Sequence, residues 1–172
     1  MNYCFKNTLR VLGIKIATSF ISICMMIAFT WLFNMKYGFL VYSTFTAVII
    51  SGWLFSEGNN AGRKFQVKEK GQYFGFVCGA IPEIISVLLL LCILIFKDLF
   101  MGLNIAYWAY NAPFMGFFNY TGKVMLMTEI NIFYLIPVLC VPVIYEAGYY
   151  RGYNRIESKV GLLERLVYKK SE

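Results

Sequence analysis

Glu83 is the residue with the most chemistry to offer. It is the one ionisable side chain in the apolar run Tyr73–Phe96, and it continues the series Gly71, Gly75, Gly79 at four-residue spacing. On a helix that spacing puts all four positions on one face, where glycines admit a neighbouring backbone. Glu83 is therefore expected to point into a helical bundle, away from lipid. An ionisable group inside a span is costly and is by default a functional candidate. A carboxylate there takes up a proton or holds a cation, which makes Glu83 the ion- or proton-site candidate. The plainer role is a carboxyl bonded across helices to a hydroxyl or a carbonyl. The adjacent Pro82 cannot donate to the helix ladder and leaves a carbonyl nearby without its usual partner.

Other chemistries lack their residues. There is no histidine among the 172 residues, so no imidazole can serve as base, metal ligand or switch near neutrality. Cys4, Cys24, Cys78, Cys92 and Cys140 are scattered singly, and no Cys-x-x-Cys pair suggests a metal or a redox cycle. The last four lie in apolar runs, where cysteine acts as a small hydrophobe. The turn Gly58-Asn59-Asn60-Ala61-Gly62-Arg63-Lys64 lacks the spacing and the Lys-Ser/Thr ending of a phosphate loop. No catalytic residue, metal or cofactor is expected, and the chain is not expected to be an enzyme.

The elements that position Glu83 follow from composition. Hydrophobic residues make up 59% and charged residues 15%, too few polar groups to cover a water-soluble surface. Lipid is the solvent that such a chain requires. A helix needs about 20 apolar residues to cross the hydrocarbon. The expected architecture is all-α: one integral membrane domain over 1–172, with spans at about 16–33, 38–55, 73–96 and 130–150 arranged as two hairpins. Lys6, Arg10 and Lys15 precede the first span. Because Trp31-Leu32-Phe33 is too bulky for signal cleavage, this span is expected to be retained.

Charge sets the orientation. The amino-terminal segment, the loop carrying Arg63, Lys64, Lys68 and Lys70, and the tail from Arg151 onward hold thirteen of the 16 basic residues. Only Lys36, Lys97 and Lys123 fall on the other side. Both termini are thus expected in the cytoplasm of a multi-pass plasma membrane protein. The net charge of +7 belongs to an inner face with anionic lipid head groups, and no nucleic-acid partner is implied. Residues 99–118 are uncharged and aromatic, with Asn104, Asn111 and Pro113 among them. A fifth span there would carry the basic tail outside, so an outer interfacial or re-entrant segment is expected.

Each hairpin leaves the membrane through a Gly-x-x-x-Gly motif, Gly58/Gly62 and Gly148/Gly152. Together with Gly71, Gly75 and Gly79 these are the expected helix-packing positions. Glu146, near the inner interface, is expected to pair with Arg151 or a nearby cation. Pro137 and Pro142 are expected to bend the fourth span. In the tail, Ile156, Val160, Leu163 and Val167 recur at helical steps, leaving Arg155, Lys159, Arg165, Lys169 and Lys170 to face lipid head groups.

Several of these segments resemble uncharacterised small four-span integral membrane proteins of Gram-positive anaerobic bacteria. They are Gly58-x-x-x-Gly62-Arg63-Lys64, Gly71–Pro82, Asn111-Ala112-Pro113-Phe114, Gly148-Tyr149-Tyr150-Arg151-Gly152-Tyr153 and Arg165–Lys170. The resemblance implies a bacterial plasma membrane and carries no activity. The functional expectation is a non-enzymatic accessory or scaffold component of a membrane assembly, with a homo-oligomer or a membrane-complex partner. The alternative is a small proton-coupled transporter using Glu83 in a dimeric bundle.

Overall fold

The computed structural model describes residues 3–31, 37–64, 71, 73–96, 100–118 and 134–168, with backbone alone at residues 100 and 118 and beyond residue 154. Every described element is helical: α1 (Tyr3–Ala28), α2 (Gly38–Gly62), α3 (Phe74–Ile95), α4 (Phe100–Tyr110), a 3₁₀ turn (Ala112–Phe114), α5 (Met115–Phe118) and α6 (Leu135–Tyr168). Three of them, α1, α2 and α3, are long and apolar enough to cross a membrane. Their outward side chains, among them Phe20, Val48, Ile84 and Leu94, are large, apolar and exposed, as lipid or a partner requires.

The first helix begins at Tyr3 rather than near residue 16, so Lys6, Arg10 and Lys15 belong to it. Its buried stripe explains this. Asn7, Val11, Ile14, Lys15, Thr18, Ser19 and Ser22 recur at steps of three and four and face inward. The helix is polar inside and apolar outside, the reverse of a water-soluble amphipathic helix. The expected tail helix is likewise no separate element, because α6 runs unbroken from Leu135 to Tyr168. Pro137 falls in its first turn, where no amide partner is needed, and Pro142 lies within the helix. Residues 34–36 of the short connection between the first two expected spans, with Lys68, Lys70, Lys97, Lys123 and residues 130–133, lie outside the described residues.

Close approaches give the helix directions. Gly58 and Gly62 lie against the backbone carbonyls of Tyr145 and Tyr149, while Gly148 and Gly152 lie against those of Phe55 and Asn59. Rising numbers pair with rising numbers, so α2 and α6 run parallel with their glycines interleaved. A methyl at any of the four would overlap main chain. Helices α1 and α3 form the second parallel pair, with Cys4 beside Cys78 and Lys15 beside Glu83 and Ser86. The pairs run opposite ways: Gly75 meets Tyr149 and Glu146, and Gly79 meets Pro142. Gly71 differs from the other stripe glycines. It stands ahead of α3 at φ +83°, where a left-handed backbone favours glycine, and nothing lies within 4 Å of an added Cβ.

At the end where Tyr3, Gly62 and Phe74 meet, here the near end, aromatic rings tie three helices together. Tyr3 stacks on Phe74 at 6.0 Å between centroids, Phe74 meets Tyr149 at 6.1 Å, and the Tyr3 hydroxyl donates to the Ala61 carbonyl at 2.8 Å. At the far end α4 is held to the start of α6. Tyr107 stacks on Tyr134 at 5.2 Å, and the Tyr134 hydroxyl bridges Trp108 and Asn104.

Candidate functional site: a buried ion pair beside an inward turn

Residues 100–118, within the segment expected to be interfacial or re-entrant, turn inward. From Phe100 the chain runs down α4 into the bundle, reverses at Asn111-Ala112-Pro113-Phe114, and starts back through α5. All four residues of the reversal are buried. The helical partners of this turn, Ser19, Thr46 and Ser86, stand eight or nine residues from the far ends of their helices. At 1.5 Å per residue the tip sits ~12–14 Å deep.

Irregular backbone at such depth has carbonyls and amides that helices would otherwise use, and hydrocarbon cannot satisfy them. Side chains of the bundle do so instead. The Ser19 hydroxyl donates to the Tyr110 carbonyl at 2.8 Å, and the Thr46 hydroxyl donates to the Pro113 carbonyl at 2.8 Å. The Gly116 amide donates to Ser43. Gly116 itself lies against the Phe39 carbonyl and the Ser43 hydroxyl, leaving no room for a side chain. Ser19 of α1 and Ser43 and Thr46 of α2 thus serve the turn.

Directly beside this turn is Glu83. One carboxylate oxygen accepts from the Lys15 ammonium, and the other accepts from the Ser86 hydroxyl at 2.8 Å. Lys15 also donates to Ser86 at 3.1 Å and lies 4.1 Å from the centre of the Tyr110 ring. Asn111, at the tip, is 3.3 Å from Ser86 and donates to the Tyr107 carbonyl at 3.1 Å. The Tyr110 hydroxyl donates to the Pro82 carbonyl at 2.9 Å. The side chains of Lys15 and Glu83 are 1% and 2% exposed. Removing two charges from water costs several kcal/mol each, and only mutual attraction with saturated hydrogen bonding offsets it. Here Ser86 bonds with both ions at once, and Tyr110 offers its ring face to the cation.

Sequence reasoning located the anion and missed the cation. Lys15 follows Lys6 and Arg10 and was counted with them among cytoplasmic charges, whereas it is enclosed with Glu83. Removing it leaves twelve basic residues against three. The available signal was the spacing of Asn7, Val11, Lys15, Thr18 and Ser22 along one face of a helix that starts early.

Two other carboxylates have partners. Glu57 pairs with Arg10 at 2.7 Å near the half-exposed near end. Glu146 does not pair with Arg151. Its carboxylate accepts from the Phe76 amide at 2.6 Å, in the first turn of α3, where Tyr73 supplies no side-chain cap. An anion there meets the unpaired amides and the positive end of the helix dipole. Arg151 instead lies over the Phe55 ring, 5.7 Å from its centre. Arg155, Lys159 and Arg165 belong to the backbone of α6, but their side chains, and Lys169 and Lys170 entirely, lie outside the described residues.

Comparisons with family models, with curated proteins and with solved structures found no match for the chain.

Proposed function

We propose that the chain is a four-span integral protein of a bacterial plasma membrane, with both termini in the cytoplasm, acting as a non-enzymatic scaffold or accessory component of a membrane assembly. The near end of the bundle is then cytoplasmic and carries Arg10, Arg63, Lys64 and Arg151. The first part of α6 acts as the fourth crossing, and residues 100–118 are re-entrant from the outer side.

The single observation that carries the functional part is the state of Glu83. Both its oxygens are engaged, by Lys15 and Ser86, inside one chain and under a turn fastened to α1, α2 and α3. A carboxylate so fixed holds helices in register, as a scaffold requires. The exposed apolar faces of the same helices offer the surface through which an assembly forms.

The transporter alternative draws support from the depth of the ion pair, since charges within spans mark ion and proton paths. It would have Glu83 exchange Lys15 for a proton or substrate as the re-entrant turn moves. Two experiments separate the readings. Purification in mild detergent is expected to recover a stoichiometric membrane partner or a self-associated form, and recovery of the chain alone as a monomer contradicts the scaffold. In proteoliposomes, a flux carried by the parent and abolished in Glu83→Gln protein that still purifies in folded form would establish the transporter instead.

A further inference from the structure

We infer that the lateral groove between α2, α5 and α6 seats one acyl chain of an anionic phospholipid of the inner leaflet, with Arg151 holding its phosphate. This rests on the proposed membrane orientation. The groove is shallow and open to the side, with room for about 600 Å³, and is lined by Thr44, Ala47, Gly52, Phe55, Phe117 and Ile144.

Its length and its ends argue for a lipid. From Thr44 to Phe55 is eleven residues of α2, or ~16 Å of helix. Half of a hydrocarbon core of about 30 Å is ~15 Å, the reach of one leaflet's acyl chain. Phe117 lines the far end, where the neighbouring Gly116 of α5 packs against α2 at Phe39 and Ser43. A transmembrane helix of a partner needs the full thickness and would meet that obstruction. An acyl chain entering from the near end stops where Phe117 begins.

The near end supplies the charge. Phe55 lines the groove, and the Arg151 guanidinium lies over its ring. Among the described residues no carboxylate pairs with Arg151, because the nearby Glu146 caps α3 instead. A guanidinium presents a planar fork of donors suited to phosphate, and stacking on Phe55 fixes its position. The groove floor is also open: an added Cβ at Gly52 meets nothing within 4 Å, in contrast to the glycines that pack against α6.

The test is native mass spectrometry of the full chain in mild detergent, offered equal amounts of phosphatidylglycerol and phosphatidylethanolamine. The expected result is one retained lipid per chain with phosphatidylglycerol preferred. Arg151→Gln should lower that preference about fivefold, the weight of one basic side chain at an anionic surface. Gly52→Leu, which fills the groove without touching packed backbone, should lower retention of both lipids while thermal stability stays at the parent's level. Equal retention of the two lipids by the parent, or no change in either variant, overturns the assignment. So does a photo-crosslinker on Gly52→Cys that captures a protein chain in membranes. Parent protein that resists alkaline carbonate extraction yet holds no anionic lipid overturns the groove assignment alone. Release by carbonate overturns the membrane reading beneath it.

Discussion

The Lys15 ammonium and the Glu83 carboxylate lie against each other in the bundle interior, 68 residues apart in the chain and almost wholly enclosed. Each is the main counter-charge of the other, and that fixes how α1 sits along α3. Removing one partner leaves a buried charge with no compensation, which costs about 3–5 kcal/mol. Lys15→Met and Glu83→Gln are each expected to lower the unfolding midpoint in detergent markedly. The double variant is expected to recover most of the loss, since a buried pair exchanged for neutral groups is often close to neutral. Additive losses in the double variant would show that the two charges are not coupled.

The glycine contacts divide into two kinds, and substitution should separate them. Gly58, Gly62, Gly148 and Gly152 each face main chain of the opposite helix, whereas Gly13 faces open space. Alanine at Gly148 must push α6 off α2, which is expected to destabilise the fold by a few kcal/mol, at about the scale of core overpacking. Gly13→Ala is expected to be neutral or mildly stabilising, because alanine favours the helix by about 1 kcal/mol over glycine. Comparison of melting in detergent checks both.

The buried turn at Asn111–Phe114 depends on donors supplied by other helices. Thr46→Val keeps the shape of the side chain and removes the donor to the Pro113 carbonyl. A buried acceptor left unpaired costs about 1–3 kcal/mol. The turn is the element that should loosen first, seen as faster hydrogen exchange at residues 110–116 than in α2 and α6. Unchanged exchange there would mean that the turn is held by other contacts.

These contacts were unequally legible in the sequence. Glycine spacing is a local property, so Gly58/Gly62 and Gly148/Gly152 stood out as places of close approach, although nothing local shows that they meet each other. Glu83 was legible because it interrupts a long apolar run. Lys15 was not, because a cation near the start of a first span has an ordinary explanation in topology. What distinguishes it from Lys6 is the inward polar stripe of α1, visible only once the helix is extended back to Tyr3. Gly71 kept the spacing of the stripe yet lies ahead of the helix, since four-residue spacing does not say where a helix begins. Residues 99–118 could be told from a fifth span by where one would carry the basic tail, but their hydroxyl partners come from three different helices.

Parallel packing of α1 and α3 can be probed with the native thiols. The Cys4 and Cys78 sulfurs are 3.7 Å apart at the near end. Treatment of membranes with diamide, which accepts the two electrons and two protons given up by the thiols, is expected to join them in a disulfide within one chain. Peptide mapping under non-reducing conditions should find that link, and Cys4→Ser should abolish it. Links from Cys4 to Cys92 or Cys140 in its place would contradict the arrangement.

The scaffold, transporter and lipid-groove proposals all depend on the proposed membrane topology. It is tested most directly by single-cysteine labelling in intact cells, using a cysteine-free parent carrying either Asn119→Cys or Ser171→Cys and a thiol reagent that cannot cross the bilayer. Position 119 is expected to be labelled from outside, and position 171 only after the cells are permeabilised. Labelling of position 171 in intact cells would contradict that topology.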